Sequence, residues 1–280
     1  MRIKVTSEST CDLSPELVEK YNIGILPLYV IKDGKNFLDG VEITSQDIFE
    51  HVKGGGEMCS TAAASISNYI DIFRKIREEY DAVIHVSISS DLSACHQNAY
   101  LVASELDNVY VVDSRNLSTG ISHLVLIAAE MAAAGANPQE ITEELNRLSQ
   151  KVDASFIVDT LQYLHKGGRC SAVAALGANL LNLKPCIEVK EGKLGVGKKY
   201  RGPLKKCLVS YVVDRLEGRD DVDTRRIFIT DTGVSDEIYM EVEAAVRACQ
   251  PFGEIIHTRA GCVISNHCGP NTLGILFMNK

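Results

Sequence analysis

Two rhythms divide the chain. Through the first half, compact apolar runs alternate with amphipathic stretches of helical period. Asp81-Ala82-Val83-Ile84-His85-Val86-Ser87 is almost continuously apolar, and Val109-Tyr110-Val111-Val112-Asp113 follows the same pattern. Strands buried on both faces of a parallel sheet read this way. Residues 67–80 put Tyr69, Ile70, Phe73 and Ile76 on one helical stripe. Ser14-Pro15-Glu16 begins a helix with Ser as its cap and Pro in the first turn. Thr44-Ser45-Gln46-Asp47 begins another, which stops at Gly54-Gly55-Gly56. Further helices are predicted over 93–105, 121–134 and 138–152. Ile3-Lys4-Val5 opens the first strand. Residues 22–30 read as a second strand, made an edge or a bulge by Pro27. Strand, helix and strand at these lengths predict a parallel sheet with helices on its faces.

The second half is less regular. A short strand is expected at 155–158, and Lys166-Gly167-Gly168-Arg169 breaks the chain. A helix of small residues follows over 172–183. Residues 187–198 read as a hairpin turning at Glu191-Gly192. A helix over 203–216, a strand at 227–230 and a helix over 235–249 come next. Two last strands frame 266–271, a stretch too polar and too rich in Gly and Pro to read as core. The expected fold is α/β, with an N-terminal domain of parallel sheet and flanking helices over 1–154 and a C-terminal mixed α/β domain over 155–280.

Composition narrows the function. Of 280 residues, 45% are hydrophobic and 24% charged, which suits a folded globular chain rather than a disordered or coiled-coil one. No apolar run approaches the roughly 20 residues of a membrane helix. The N-terminus lacks the apolar core of a signal peptide. A cytoplasmic protein without stable membrane insertion is expected. Nine cysteines with no C-x-x-C pair then read as reduced thiols. A net charge of −8 argues against nucleic acid as partner. The distribution is uneven, however. Between Lys166 and Arg215 stand 11 Lys and Arg against three acids, a local balance of +8 that leaves −16 for the rest. This asymmetry reads either as a docking surface for something anionic or as a solvated cationic face.

Small hydroxyl residues gather where strands should end: Ser7-Glu8-Ser9-Thr10-Cys11-Asp12, Cys59-Ser60-Thr61, the run from Ser87 to Ser93, and Asp113-Ser114. Open α/β sheets bind ligands at the carboxyl ends of strands, beside helix N-termini. Each cluster alone reads as helix capping; four together point to the polar end of a pocket. There is no P-loop, no G-x-S-x-G elbow and no H-E-x-x-H motif, and Gly195 to Gly197 lie in a hairpin rather than a dinucleotide turn. No metal site and no cofactor are expected. An enzyme, either a phosphotransferase or an acyl hydrolase with Ser93 as nucleophile and His267 as base, is the main rival to a binding protein. An interaction module whose clusters are caps alone is a third reading.

The motifs in order carry a resemblance. Ser9-Thr10-Cys11-Asp12-Leu13 is similar to S-T/S-C-D-L, Ser60-Thr61 falls at T-S-Q-P, and Ser89-Ser90-Asp91-Leu92-Ser93 resembles S-S-G-L-S-G. Val112-Asp113-Ser114, Leu164-His165-Lys166-Gly167-Gly168-Arg169, Lys184-Pro185 and His267-Cys268-Gly269-Pro270 continue the match. Over essentially its whole length the chain resembles the DegV family of bacterial lipid-binding proteins, which includes the fatty-acid-binding subunits of fatty acid kinase. The resemblance implies the DegV-like (EDD) fold and a carrier, not an enzyme. One long-chain fatty acid, such as palmitate or oleate, would occupy a tunnel between the domains. Its carboxyl group would meet the hydroxyls of Ser60 and Ser93, with Thr61 and His267 close by. A separate fatty acid kinase would phosphorylate that carboxyl group. Arg169, with Lys166, would belong to the surface facing the kinase. The helix of small residues would line the tunnel. Departures include Ala62-Ala63 for Gln-Pro, Asp91 and Ala94 for glycines, His96 for Tyr, Asn271 for Gly and Glu8 for Asp.

Overall fold

The computed structural model describes residues 1–172 and 183–280, so the helix of small residues expected over 172–183 falls outside the described residues except at its two ends. Four strands, β1 (Ile3–Glu8), β2 (Gly24–Leu26), β6 (Ala82–Ser87) and β7 (Val109–Asp113), form a parallel sheet in the order β2-β1-β6-β7. Every residue of β6 is buried, as its unbroken apolar run requires. A small antiparallel sheet, β4-β3-β5, joins β3 (Tyr29–Lys32), β4 (Lys35–Leu38) and β5 (Ser60–Ala62). A third sheet holds β8 (Val152–Ile157), β9 (Leu183–Lys190), β10 (Lys193–Arg201), β11 (Val222–Asp231), β12 (Glu254–Arg259) and β13 (Leu273–Asn279), ordered β10-β9-β8-β13-β11-β12. It is mixed: β11 and β12 pair parallel and the other neighbours antiparallel. The chain is thus mixed α/β, with one parallel and one mixed sheet.

Local chemistry explains most helix starts. Ser14 caps α1 (Pro15–Lys20), Thr44 caps α2 (Ser45–Lys53), Ser65 caps α3 (Ile66–Arg77), Asn137 caps α6 (Pro138–Ser149) and Ser235 caps α9 (Asp236–Cys249). Between them stand α4 (Cys95–Ala103), α5 (Thr119–Ala133) and α8 (Leu204–Leu216). Residues 119–129 of α5 are all buried. A helix apolar on every side belongs in the interior. It packs on β1 and β6 on one side and on β8 and β13 on the other, which ties the parallel sheet to the mixed one.

Three expectations are corrected. Residues 22–30 are not one strand: the chain leaves the parallel sheet at Pro27, and β2 and β3 belong to different sheets. Lys166-Gly167 does not simply break the chain but ends a short helix, α7 (Gln162–Gly167). The stretch around His267 is not a surface loop. It is α10 (Cys262–Cys268), buried except for a partly covered His267. Two of its polar side chains donate inside: Ser265 Oγ to Ala260 O (3.1 Å) and Asn266 Nδ2 to Cys59 O (3.0 Å). At the predicted hairpin, Glu191 (φ 52°) and Gly192 (φ 81°) are both left-handed, the backbone a two-residue β9–β10 turn needs.

Candidate functional site

The site is built around α10. Two buried carboxyl groups from distant motifs receive its first amides. Asp12, left-handed at φ 53°, accepts from Gly261 N (2.8 Å) and Ser118 Oγ (2.5 Å). Asp39 accepts from Cys262 N (2.7 Å), Val263 N (3.4 Å) and Ser9 Oγ (2.8 Å). Acids suit a helix start, where unpaired N–H groups converge. Burial pushes the Asp12 carboxyl up to about 8, against the pull of its two donors. The Ser9–Asp12 segment is therefore largely a mount for α10, although Thr10 reaches the cavity described next.

His267 lies in the last turn of α10, and α7 packs against it. A Cβ on Gly167 would overlap His267 Nδ1, and one on Gly269 (φ 80°) would come within 2.7 Å of Tyr163 Cδ2. The two glycine motifs thus meet face to face. Glycine is required at Gly167 by the imidazole beside it, and at Gly269 by both its backbone and the Tyr163 ring.

Beside them lies an apolar cavity of about 270 Å³. Its walls are drawn from both halves of the chain, including Leu28, Ile88, Leu92, Leu164, Leu194 and Ile264. Five of its residues are polar: Thr10, Thr61, Ser93, Arg169 and His267. A polar cavity of about 370 Å³, bounded by Glu57, Ser60, Lys166 and Asn266, shares Thr61, Arg169 and His267 with it. Inward, a small void near Phe156 and Leu276 shares Leu117, Ile264 and Cys268. An apolar chamber with polar groups at a shared wall suits a long amphiphile with one polar end.

Thr61 Oγ1 and His267 Nε2 are 2.9 Å apart. Burial, and next the nearby Arg169 charge, depress the imidazole to about 4, so it is neutral at pH 7. Its Nδ1 is buried without a hydrogen-bond partner among the described residues, as is Thr10 Oγ1. Ser93 Oγ donates to Cys95 Sγ (3.1 Å) and accepts from Cys95 N (3.2 Å). Ser93 and His267 line one chamber but are not hydrogen-bonded to each other. No acid orients the imidazole among its described contacts, so a serine–histidine base lacks both of its links here.

Ser60, expected beside Ser93, is exposed and faces only the polar cavity. Successive residues of β5 point to opposite sides, so Thr61 takes the inner position. Arg169 and Lys166, expected on a partner-facing surface, are both exposed, and Arg169 also lines both cavities while donating to Gly167 O (2.8 Å). Thr10 was among the hydroxyl clusters but was not singled out. The basic stretch is partly neutralised: Lys184, Lys190, Lys193, Lys198, Lys205 and Arg215 all form ion pairs. Among the described residues no cluster of three or more His, Cys, Asp or Glu is placed to hold a metal, and no helix is long and apolar enough to cross a membrane.

Comparison with known proteins agrees with this geometry. A family model described as "Uncharacterised protein, DegV family" matches residues 2–280. The chain belongs to the DegV family. A DegV domain-containing protein of Caldanaerobacter subterraneus subsp. tengcongensis is 30% identical, the alignment covering 100% of this chain and 99% of that one. A solved DegV family protein from Thermus thermophilus, described by its fatty acid binding, matches with TM-score 0.90 and 32% identity over 100% of both chains. A fatty acid (stearic acid)-binding protein from Eubacterium ventriosum matches with TM-score 0.84 and 26% identity over 99% of this chain and 98% of the other. The fold of this DegV chain is therefore that of proteins solved with or for fatty acids.

Proposed function

We propose that this DegV-family protein is a carrier that binds one long-chain fatty acid without transforming it. The alkyl chain would fill the apolar cavity between an N-terminal domain, 1–154, and a C-terminal domain, 155–280. The carboxyl group would meet Thr61, His267 and Ser93, with Arg169 at the shared wall. One observation carries the reading: an apolar chamber whose polar wall pairs a neutral, buried imidazole with a threonine hydroxyl and leaves a second ring nitrogen unpartnered. A buried carboxylate must be hydrogen-bonded or protonated, and hydroxyls with an imidazole offer donors. Each methylene removed from water adds about 0.8 kcal/mol, so a chain of about 15 supplies ample gross affinity.

The bound carboxyl group would be presented to a separate fatty acid kinase through Arg169 and Lys166. The test of the carrier reading is extraction of protein purified from a bacterial host. About one C14 to C18 acid per chain is expected; well-folded protein that yields no acyl chain and takes up neither palmitate nor oleate overturns the reading.

A further inference from the structure

Behind the cavity wall lies a buried polar system that the carboxyl site does not use. Glu8, at the end of β1, is fully buried. Its Oε1 accepts from the Tyr69 hydroxyl (2.8 Å) and lies 3.0 Å from His85 Nε2, and its Oε2 accepts from Ile88 N (3.0 Å). His85 Nδ1 is 2.9 Å from Thr6 Oγ1. The Tyr69 hydroxyl also lies beside the Cys95 side chain, and the Cys95 sulfur and backbone N–H both meet Ser93 Oγ.

The directions of these bonds are fixed by what each group can donate. Tyr69 gives its one proton to Glu8, which leaves its oxygen beside the Cys95 sulfur. Burial holds the Cys95 thiol up to about 11, so it stays neutral. Cys95 N donates to Ser93 Oγ (3.2 Å) and holds the hydroxyl oxygen, whose proton rests on the sulfur (3.1 Å) and turns to a carboxylate when one is bound. Glu8 is therefore tied directly to the start of the loop that follows β6, at Ile88, and it holds the Tyr69 hydroxyl against Cys95 at the loop's far end. That loop supplies Ile88, Leu92, Ser93 and Ala94 to the cavity. We propose that Glu8 and Tyr69 are positioning residues for carboxyl recognition: they clamp the 88–95 loop and so fix where Ser93 stands. The glutamate carries the clamp because its carboxyl reaches three donors on three elements at once.

This inference rests on the reading that Ser93 meets the ligand's carboxyl group, and a double-mutant cycle separates the two. Palmitate binding is titrated in the parent, Tyr69→Phe, Ser93→Ala and the double variant, with Cys95→Ala as a second break in the same chain that leaves Glu8 untouched. Thermal melts confirm that each protein is folded. Tyr69→Phe and Cys95→Ala should each raise the Kd about 3- to 10-fold, the size of one lost hydrogen bond. In the Ser93→Ala background Tyr69→Phe should change the Kd less than about two-fold, since its effect passes through that side chain. An equal loss in both backgrounds, or no loss in either single variant, overturns the clamp. A folded parent that does not bind palmitate overturns the carrier reading instead.

Discussion

Thr61 is the residue on which the site turns. Its hydroxyl is 2.9 Å from His267 Nε2, inside the chamber, whereas its neighbour Ser60 is exposed. Thr61→Val keeps the shape and removes the hydroxyl, which strips a buried imidazole of its described partner. Loss of such a partner costs about 1–3 kcal/mol, so the Kd for palmitate should rise roughly 5- to 150-fold, while Ser60→Ala should leave it unchanged. Titration of both variants decides between the two sides of β5, and weakening by Ser60→Ala alone would restore the register expected from sequence. His267 also makes stability depend on pH. Its folded value, about 4, lies below the ordinary 6.5, so the folded state favours the neutral ring. The stabilisation is complete above about 6.5 and is lost as pH falls towards 4. His123, buried and likewise held at about 4, acts in the same sense, and Asp12, raised to about 8, loses stability as pH rises from its ordinary value. Comparing His267→Gln with the parent cancels both. The drop in Tm between pH 7 and pH 5 should be smaller in the variant, and an unchanged drop would show that His267 is not buried as described.

At the scale of elements, α10 and α7 form one unit, and their glycines offer a matched pair of substitutions. Gly167→Ala leaves the backbone unstrained but pushes a methyl into His267 Nδ1. Gly168→Ala meets nothing within 4 Å but strains a left-handed backbone, φ 68°. The first should cut palmitate binding at least ten-fold by displacing the imidazole; the second should cost about 1 kcal/mol of stability with near-normal binding. Equal effects on binding would dissolve the distinction. These helices also mark what the sequence could not disclose. Strands β6 and β7 and the capped helices α1, α2 and α9 were legible because their signals are local: an unbroken apolar run, or Ser and Thr before a helical period. Helix α10 was not, because its first amides are received by Asp12 and Asp39, more than 200 residues away in the chain, and its polar residues find partners across the fold. Pairing across about 30 residues hid β5, a three-residue strand defined only by β3, and with it the one-residue register that separates Ser60 from Thr61. Pro27 was seen as an interruption, but that it sends the chain into a different sheet depends on where β3 finds its partners.

Across the whole molecule, charge is arranged more sparingly than the sequence count suggests. Six of the 11 cations between Lys166 and Arg215 are held in ion pairs, while Lys166 and Arg169 form none among the described residues and stand beside the polar cavity. Of the five others, Lys199, Arg201 and Lys206 lie on β10 and α8, and Lys166 and Arg169 stand at the polar wall of the apolar chamber. A guanidinium there has two uses. It can receive a phosphate or carboxylate on a partner through paired hydrogen bonds, and it raises the local potential felt by a ligand carboxylate across a partly wet wall. The second effect is modest, because exposed charges are screened beyond about 8 to 10 Å at physiological salt. Arg169→Ala should therefore weaken palmitate binding only a few-fold, in step with the small exposed-pair energies of about 0–1 kcal/mol. Acyl phosphate formation with a cognate fatty acid kinase should fall by at least about ten-fold, since one buried, charge-assisted contact at an interface is worth about 1.5–3 kcal/mol. Arg169→Lys separates the roles further: it keeps the charge but not the planar fork, so binding should return to the parent value while phosphorylation stays low. Equal recovery of both would make Arg169 a simple electrostatic aid to the ligand, and a large fall in Tm with loss of binding would make it a structural link between α7 and the chamber, ending its assignment to partner recognition.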